Sequence, residues 1–310
     1  MNCISKNDLM TALERVYKIM NPTPTYKWPL LCDRLKHEIW LKHENHTPTG
    51  AFKIRGGINY LNELLIHKPN TKTIVTASTG NHGQSITTAA SLMGINSIIV
   101  CPKNTSKGKV RAMVSQGANI KFKGRDFQES VEYAINFSSE NNFHFIYSFH
   151  KWLVAGVATY AWEMFKIIEP DIVYVPIGLG SGCIGIISVK KILNLKTKII
   201  GVQAQGAPSY ALSFAAKKLI NTPSINTTAE GLATRSPNPD ALRIINEEIY
   251  DIITVTDEEI IEAQNILLED THSLAEPAGA AGLAATIKHN RDKSTSLTVL
   301  SGSNTDVNIN

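Results

Sequence analysis

From Glu38 onward the chain alternates short apolar, β-branched runs with stretches of helical spacing, and no other feature narrows its fold as much. The spacing predicts strands at 38–42, 73–77, 97–101, 119–122, 172–177, 198–204, 252–255 and 296–301. Between them it predicts helices near 51–66, 82–93, 107–116, 127–140, 152–168, 182–194, 208–218, 239–247, 257–270 and 278–289. Runs such as Ile172-Val173-Tyr174-Val175 are apolar at nearly every position, so both faces of such a strand must be covered. Strand–helix alternation with strands of this kind describes an α/β protein with parallel sheets between helices. At 310 residues the chain exceeds one ordinary core, which implies two domains or one large α/β unit.

Charge and cysteine usage exclude several function classes. The net charge of +4 is small for this length and no dense Lys/Arg block occurs, so nucleic acid is not an implied partner. Cys3, Cys32, Cys101 and Cys183 are widely spaced, without a CxxC pair or interleaved histidines, which suggests neither a disulfide framework nor a zinc site. Met1–Met20 carries Leu9, Leu13, Val16, Tyr17 and Met20 at helical spacing, but acidic residues interrupt it, unlike a signal peptide. No run approaches the roughly 18 apolar residues of a membrane span. These features describe a reduced, cytoplasmic protein with no membrane partner. Pro22, Pro24 and Pro29 mark a loop after the first helix, and Asn221–Asp240 forms the longest loop.

Four segments carry chemistry. Lys53 falls in the first turn of the helix expected to begin near Ala51, where the positive end of the helix dipole disfavours a cation. A desolvated amine held at positive potential has a lowered pKa, as a Schiff-base lysine requires. A solvated surface lysine is the plainer reading of such a residue alone. The strand 172–177 runs into Gly178-Leu179-Gly180-Ser181-Gly182 and then a helix, an arrangement whose amides converge on an anion. Gly180, Gly182 and Gly185 also fit the dinucleotide pattern GxGxxG, but the next strand ends in Gln203 and Gln205 rather than a carboxylate. A phosphate site is favoured over a nicotinamide site or a simple packing turn. Strand 73–77 enters Ser78-Thr79-Gly80-Asn81-His82, whose hydroxyls and amides can hold a carboxylate while Asn81 donates to a phenolate-type oxygen. Taken alone, it is equally a polar helix cap with a structural histidine. Strand 296–301 ends at Ser301, and ligands of α/β sheets bind beyond the carboxyl ends of the strands.

Together with Glu276-Pro277-Ala278-Gly279-Ala280-Ala281 and Gly231-Leu232-Ala233-Thr234-Arg235, these segments resemble the serine/threonine dehydratase and serine racemase branch of the fold-type II pyridoxal-phosphate enzymes. The resemblance covers roughly residues 40 to 305. It implies a two-domain, tryptophan-synthase-β-like fold with twisted, mostly parallel sheets covered by helices. Residues 43–150 would form the small domain, and 1–42 with 151–310 the large one. It implies pyridoxal 5'-phosphate as cofactor, with Lys53 as covalent anchor and base and Phe52 beside it. Asn81 would contact the ring oxygen, Gly178, Leu179, Gly180, Ser181 and Gly182 the phosphate, and Ser301 the ring nitrogen. Ser78, Thr79, Gly80, Asn81 and His82 would hold the substrate. A homodimer and a small amino-acid substrate follow from the same likeness.

The departures refine this expectation. Leu179 and Ser181 replace glycines usual in the branch, though backbone amides still serve. Thr79 stands where the racemase places the serine that donates a proton on the second face, so Thr79 is the candidate second catalytic residue. Some members of the branch bind a cation near the segment holding Glu230; no other acidic residue is evident there, and no metal is expected. The chain ends just past Asn304, so no isoleucine-sensing C-terminal domain is expected. The expected reaction is β-elimination from L-threonine or L-serine to a 2-oxo acid and ammonia, as in amino-acid catabolism. Amino-acid racemisation and dehydration of 3-hydroxyaspartate or hydroxyectoine are the alternatives within the fold. A non-catalytic vitamin-binding protein is the rival outside it.

Overall fold

A computed structural model describes residues 1–289 and 294–306. The strands are β1 Thr25–Lys27, β2 Ile39–His43, β3 Thr73–Ala77, β4 Asn96–Cys101, β5 Asn119–Phe122, β6 His144–Phe145, β7 Ile172–Pro176, β8 Lys198–Ala204, β9 Asp251–Val255 and β10 Ser296–Leu300. They form a six-stranded sheet in the order β1-β2-β10-β7-β8-β9 and a four-stranded sheet in the order β5-β4-β3-β6. Every pairing is parallel except β1 with β2. This is the mostly parallel, helix-covered architecture that the alternation implies.

The central strands β7 and β3 lie between apolar helices for the reason their sequence gives. In the larger sheet Val173 and Val175 of β7 face a core built with helices Lys6–Tyr17, Lys151–Phe165 and Ser181–Leu193. Tyr174 faces the opposite core, with helices Asp257–Thr271 and Pro277–His289. In the smaller sheet Ile74 packs with Ile54, Ile58, Leu61 and Leu64 of helix Lys53–His67, while Val75 and Ala77 face helix Phe127–Glu140. Helix Lys53–His67 also meets Leu153 of helix Lys151–Phe165, so it sits at the junction of the two sheet units.

Four elements depart from the sequence expectation. The proline-marked stretch contains β1 and a helix, Pro29–Leu35, with its proline at the first helical position, where a missing N–H costs nothing. The two residues of β6 are too few to show a period. The helix expected near Ala51 begins instead at Lys53. Thr47 Oγ1 accepts from the Ala51 amide at 2.9 Å, and the Phe52 amide donates to the Ser301 carbonyl at 3.1 Å. The backbone there extends β10, with Ala51 bridging Gly302, before it can turn helical.

Candidate active site

The carboxyl ends of β3, β7 and β10 bring the candidate residues together. Lys53 is the first residue of its helix, and its Nζ lies 3.5 Å from Ser181 Oγ, at the start of helix Ser181–Leu193. The amine therefore feels the positive ends of two helices. Burial lowers the Lys53 pKa to about 8, against a smaller opposing pull from Glu276. The Phe52 ring centroid lies 4.9 Å from the Lys53 amine, and the edge of that ring would stand 3.9 Å from a Cβ placed on Gly182.

The glycine loop is held open from behind. Gly180 has φ +98°, which a residue with a side chain adopts only under strain. A Cβ on Gly178 would stand 2.2 Å from the Gly231 carbonyl oxygen, so the loop lies flat against its neighbour there. The Tyr210 hydroxyl donates to the Leu179 carbonyl at 3.0 Å, and the Tyr160 hydroxyl to the Gly182 carbonyl at 3.0 Å. With the carbonyls tied back, the first-turn amides of Ser181–Leu193 remain available to an anion.

The loop after β3 is braced by its own serine. Ser78 Oγ accepts from the Gly80 amide at 3.1 Å and the Gly83 amide at 2.8 Å. Helix geometry leaves the Asn81 and His82 amides without intrahelical partners, and Thr79 stands partly exposed beside them. The His82 ring turns inward to Thr76 Oγ1 at 3.1 Å, and burial, reinforced by Lys53, lowers its pKa to about 3. His82 is therefore neutral, and its amide rather than its ring faces the site.

One participant had no role assigned from sequence. Asn81 Nδ2 donates to Glu276 Oε1 at 2.8 Å, and Asn304 Nδ2 donates to Asn81 Oδ1 at 2.8 Å. Burial raises the Glu276 pKa to about 7, although the Asn81 hydrogen bond opposes it. Glu276 links loops that are distant in sequence, and its only signal there was a carboxylate next to Pro277 at a helix start. Glu230, at the position linked to a cation in the resembled branch, accepts from Lys109 Nζ at 2.6 Å. Ser301 is buried at the end of β10, on the strand next to β7.

The donor set fits pyridoxal phosphate. It offers a partly desolvated amine, a cradle that a Cβ at Gly180 would strain, amides at a helix start for the phosphate, and a neutral hydroxyl at Ser301. Among the described residues no helix is long and apolar enough to cross a membrane.

Comparisons with known proteins agree with this donor set. A profile described as "Pyridoxal-phosphate dependent enzyme" matches residues 16–302. The L-threonine ammonia-lyase of Geobacter sulfurreducens is 35% identical over 89% of this chain and 69% of its own length. The biosynthetic L-threonine dehydratase of Haemophilus influenzae is 31% identical over 92% of this chain, which spans only 56% of that relative. The solved structure of maize serine racemase superposes with a TM-score of 0.93 at 28% identity, over 99% of this chain and 95% of that one. The chain thus belongs to the pyridoxal-phosphate dependent enzymes of the tryptophan-synthase-β-like fold.

Proposed function

We propose that the protein is a deaminating dehydratase that converts L-threonine or L-serine to the 2-oxo acid and ammonia. The observation that carries this reading is the Lys53 amine, with its pKa near 8, beside the glycine loop and facing the carboxylate loop. In this reading the segment Gly178, Leu179, Gly180, Ser181 and Gly182 holds the cofactor phosphate through its amides, Asn81 the ring oxygen, Ser301 the ring nitrogen, and Phe52 flanks the ring. When bound, the cofactor draws electrons from the substrate Cα and makes its proton removable. The loop Ser78–His82 orients the substrate carboxylate through its amides. The freed Lys53 amine takes the Cα proton, and the β-hydroxyl departs on the phosphate side. Loss of water followed by hydrolysis leaves the oxo acid and ammonia. A neutral hydroxyl at Ser301 stabilises a protonated ring nitrogen less than a carboxylate would, which favours prompt loss of the β-hydroxyl over transamination.

The division 43–150 against 1–42 and 151–310 belongs to this proposal; residues 290–293 and 307–310 of the larger part lie outside the described residues. The four-stranded unit would close onto the substrate carboxylate. A cytoplasmic homodimer acting in amino-acid catabolism completes the reading, supported by the family likeness and, for the compartment, by four free cysteines. Racemisation is the second reading, favoured by the Thr79 hydroxyl in the carboxylate loop and by the likeness to maize serine racemase. The β-branch of Thr79 restricts its rotamers, so elimination is the reading kept.

The deciding experiment incubates loaded enzyme with a panel of 3-hydroxy amino acids and follows oxo acid and ammonia together. Equimolar formation of both supports the dehydratase, whereas unchanged substrate would leave only a vitamin-binding protein. Thr79→Ser should raise racemisation relative to elimination if rotamer freedom sets the balance.

Two further outcomes follow from the site. Gly180→Val places a β-branched residue at φ +98°, a strain of about 1–3 kcal/mol. If the strain is relieved by distorting the loop, cofactor affinity measured by titration should fall about fivefold to 150-fold; unchanged affinity would remove this loop as the phosphate site. The Lys53 value of about 8 predicts how stripped protein recaptures the cofactor. Only the neutral amine attacks, so the rate observed by rapid mixing should rise about tenfold per pH unit below 8 and level off above it. A rate still climbing tenfold between pH 9 and 10 would show an ordinary solvated lysine.

A further inference from the structure

A cavity of about 380 Å³ opens between the two sheet units, within the roughly 300–1,000 Å³ range of ligand pockets. Its lining includes Ala77, the residue before the carboxylate loop, and Leu179, inside the glycine loop. Four aromatic residues, Phe127, Phe145, Tyr147 and Phe149, line it as well. The Phe145 and Tyr147 rings meet edge to face at 4.8 Å. Asn238 closes the far side, and its amide donates to the Tyr210 hydroxyl that also holds the Leu179 carbonyl. The cavity wall and the glycine loop are therefore one braced assembly. Gln128, Ser148 and Asn238 supply the polar lining, and no charged side chain is among the lining residues.

We infer that this aromatic cavity is the side-chain subsite, and that it selects 3-hydroxy amino acids whose side chains are uncharged and extend beyond the methyl of threonine. The inference rests on the dehydratase reading for its orientation. A substrate held between the carboxylate loop and the glycine loop would lie beside Ala77 and Leu179, both of which line this cavity. Its side chain then has the aromatic wall before it. A carboxylate there would lose its water without gaining a cation, whereas each added methylene is buried against rings.

The test uses holoenzyme and L-alanine, L-norvaline, L-norleucine and L-aspartate, which lack the β-hydroxyl and so bind without its elimination. Dissociation constants are read from the change in cofactor absorbance. They should fall about fourfold per added methylene, with L-aspartate at least tenfold weaker than L-norleucine. Val131→Trp, which fills the cavity from helix Phe127–Glu140, should flatten the apolar series. Gln128→Arg, at an exposed position of the same helix, adds a cation and should narrow the gap for L-aspartate even if the larger substitution fails to fold. A flat series in the unmodified enzyme, L-aspartate binding as tightly as L-norleucine, no amino acid changing the absorbance, or a gap that survives Gln128→Arg would each overturn the subsite. The reaction assignment is separable. A graded series without oxo acid from any 3-hydroxy amino acid would keep the subsite and remove the dehydratase, and a flat series with oxo acid would do the reverse.

Discussion

Lys53→Ala is expected to lower turnover by at least about 10⁴-fold. A positioned general base contributes about 10²–10⁴ by itself, and the same substitution removes the covalent anchor of the cofactor. Ser181 Oγ, 3.5 Å from the Lys53 amine, cannot at neutral pH replace that amine as base. Borohydride treatment of the unmodified protein followed by peptide mapping should place the cofactor on Lys53. Label on another lysine, or substantial activity in the alanine variant, would remove Lys53 from the mechanism while leaving the fold assignment untouched.

Arg55→Met is expected to destabilise the protein by about 3–5 kcal/mol, because it removes the guanidinium shared by two buried carboxylates and leaves them one buried cation, Lys42. Arg55 is fully buried two residues after Lys53. Its guanidinium reaches Glu44 at 2.7 and 2.9 Å and Glu163 at 2.5 and 2.9 Å. Lys42, also fully buried, donates to Glu163 at 2.5 Å. Burial opposes ionisation of Glu163, yet Arg55 and Lys42 together hold its pKa below the usual value of 4.5. A depressed carboxylate stabilises the fold fully above its unfolded pKa and loses that contribution as pH falls through its folded one. The gap between Arg55→Met and the unmodified protein in denaturant unfolding should therefore be full at neutral pH and shrink as acid protonates these carboxylates, first in the variant, where burial is less opposed, and then in the unmodified protein below the usual value of 4.5. The group also fixes the first turn after Lys53, so the variant should lose cofactor affinity as well. A stability within 1 kcal/mol of the unmodified protein, about the scale of an exposed ion pair, would contradict this account.

This cluster shows where sequence reading ran out. Lys42 lies in a strand, Glu44 just beyond it, and Glu163 in the apolar run Val154–Phe165. Each resembles an ordinary charge until folding brings them together across 121 residues. A lone glutamate in so apolar a helix was the available signal of a buried partner. The Glu276–Asn81 contact, 195 residues apart, was hidden for the same reason. By contrast, Ser78–His82, the glycine loop and Ser301 stand out as candidates in the sequence because each is a contiguous segment at a strand's carboxyl end. The parallel sheets were legible because strands such as β7 are apolar on both faces. The start of the Lys53 helix was misplaced by two residues because β10 claims the Ala51–Phe52 backbone, a pairing that periodicity within one segment does not encode.

The most direct test of the central claim incubates cofactor-loaded enzyme with L-serine and determines 2-oxo acid and D-serine in the same samples by chiral separation. Elimination with Lys53 as base predicts oxo acid, with matching ammonia, at an initial rate exceeding that of D-serine. D-serine as the main product would contradict the dehydratase account and make Thr79 an effective proton donor on the second face.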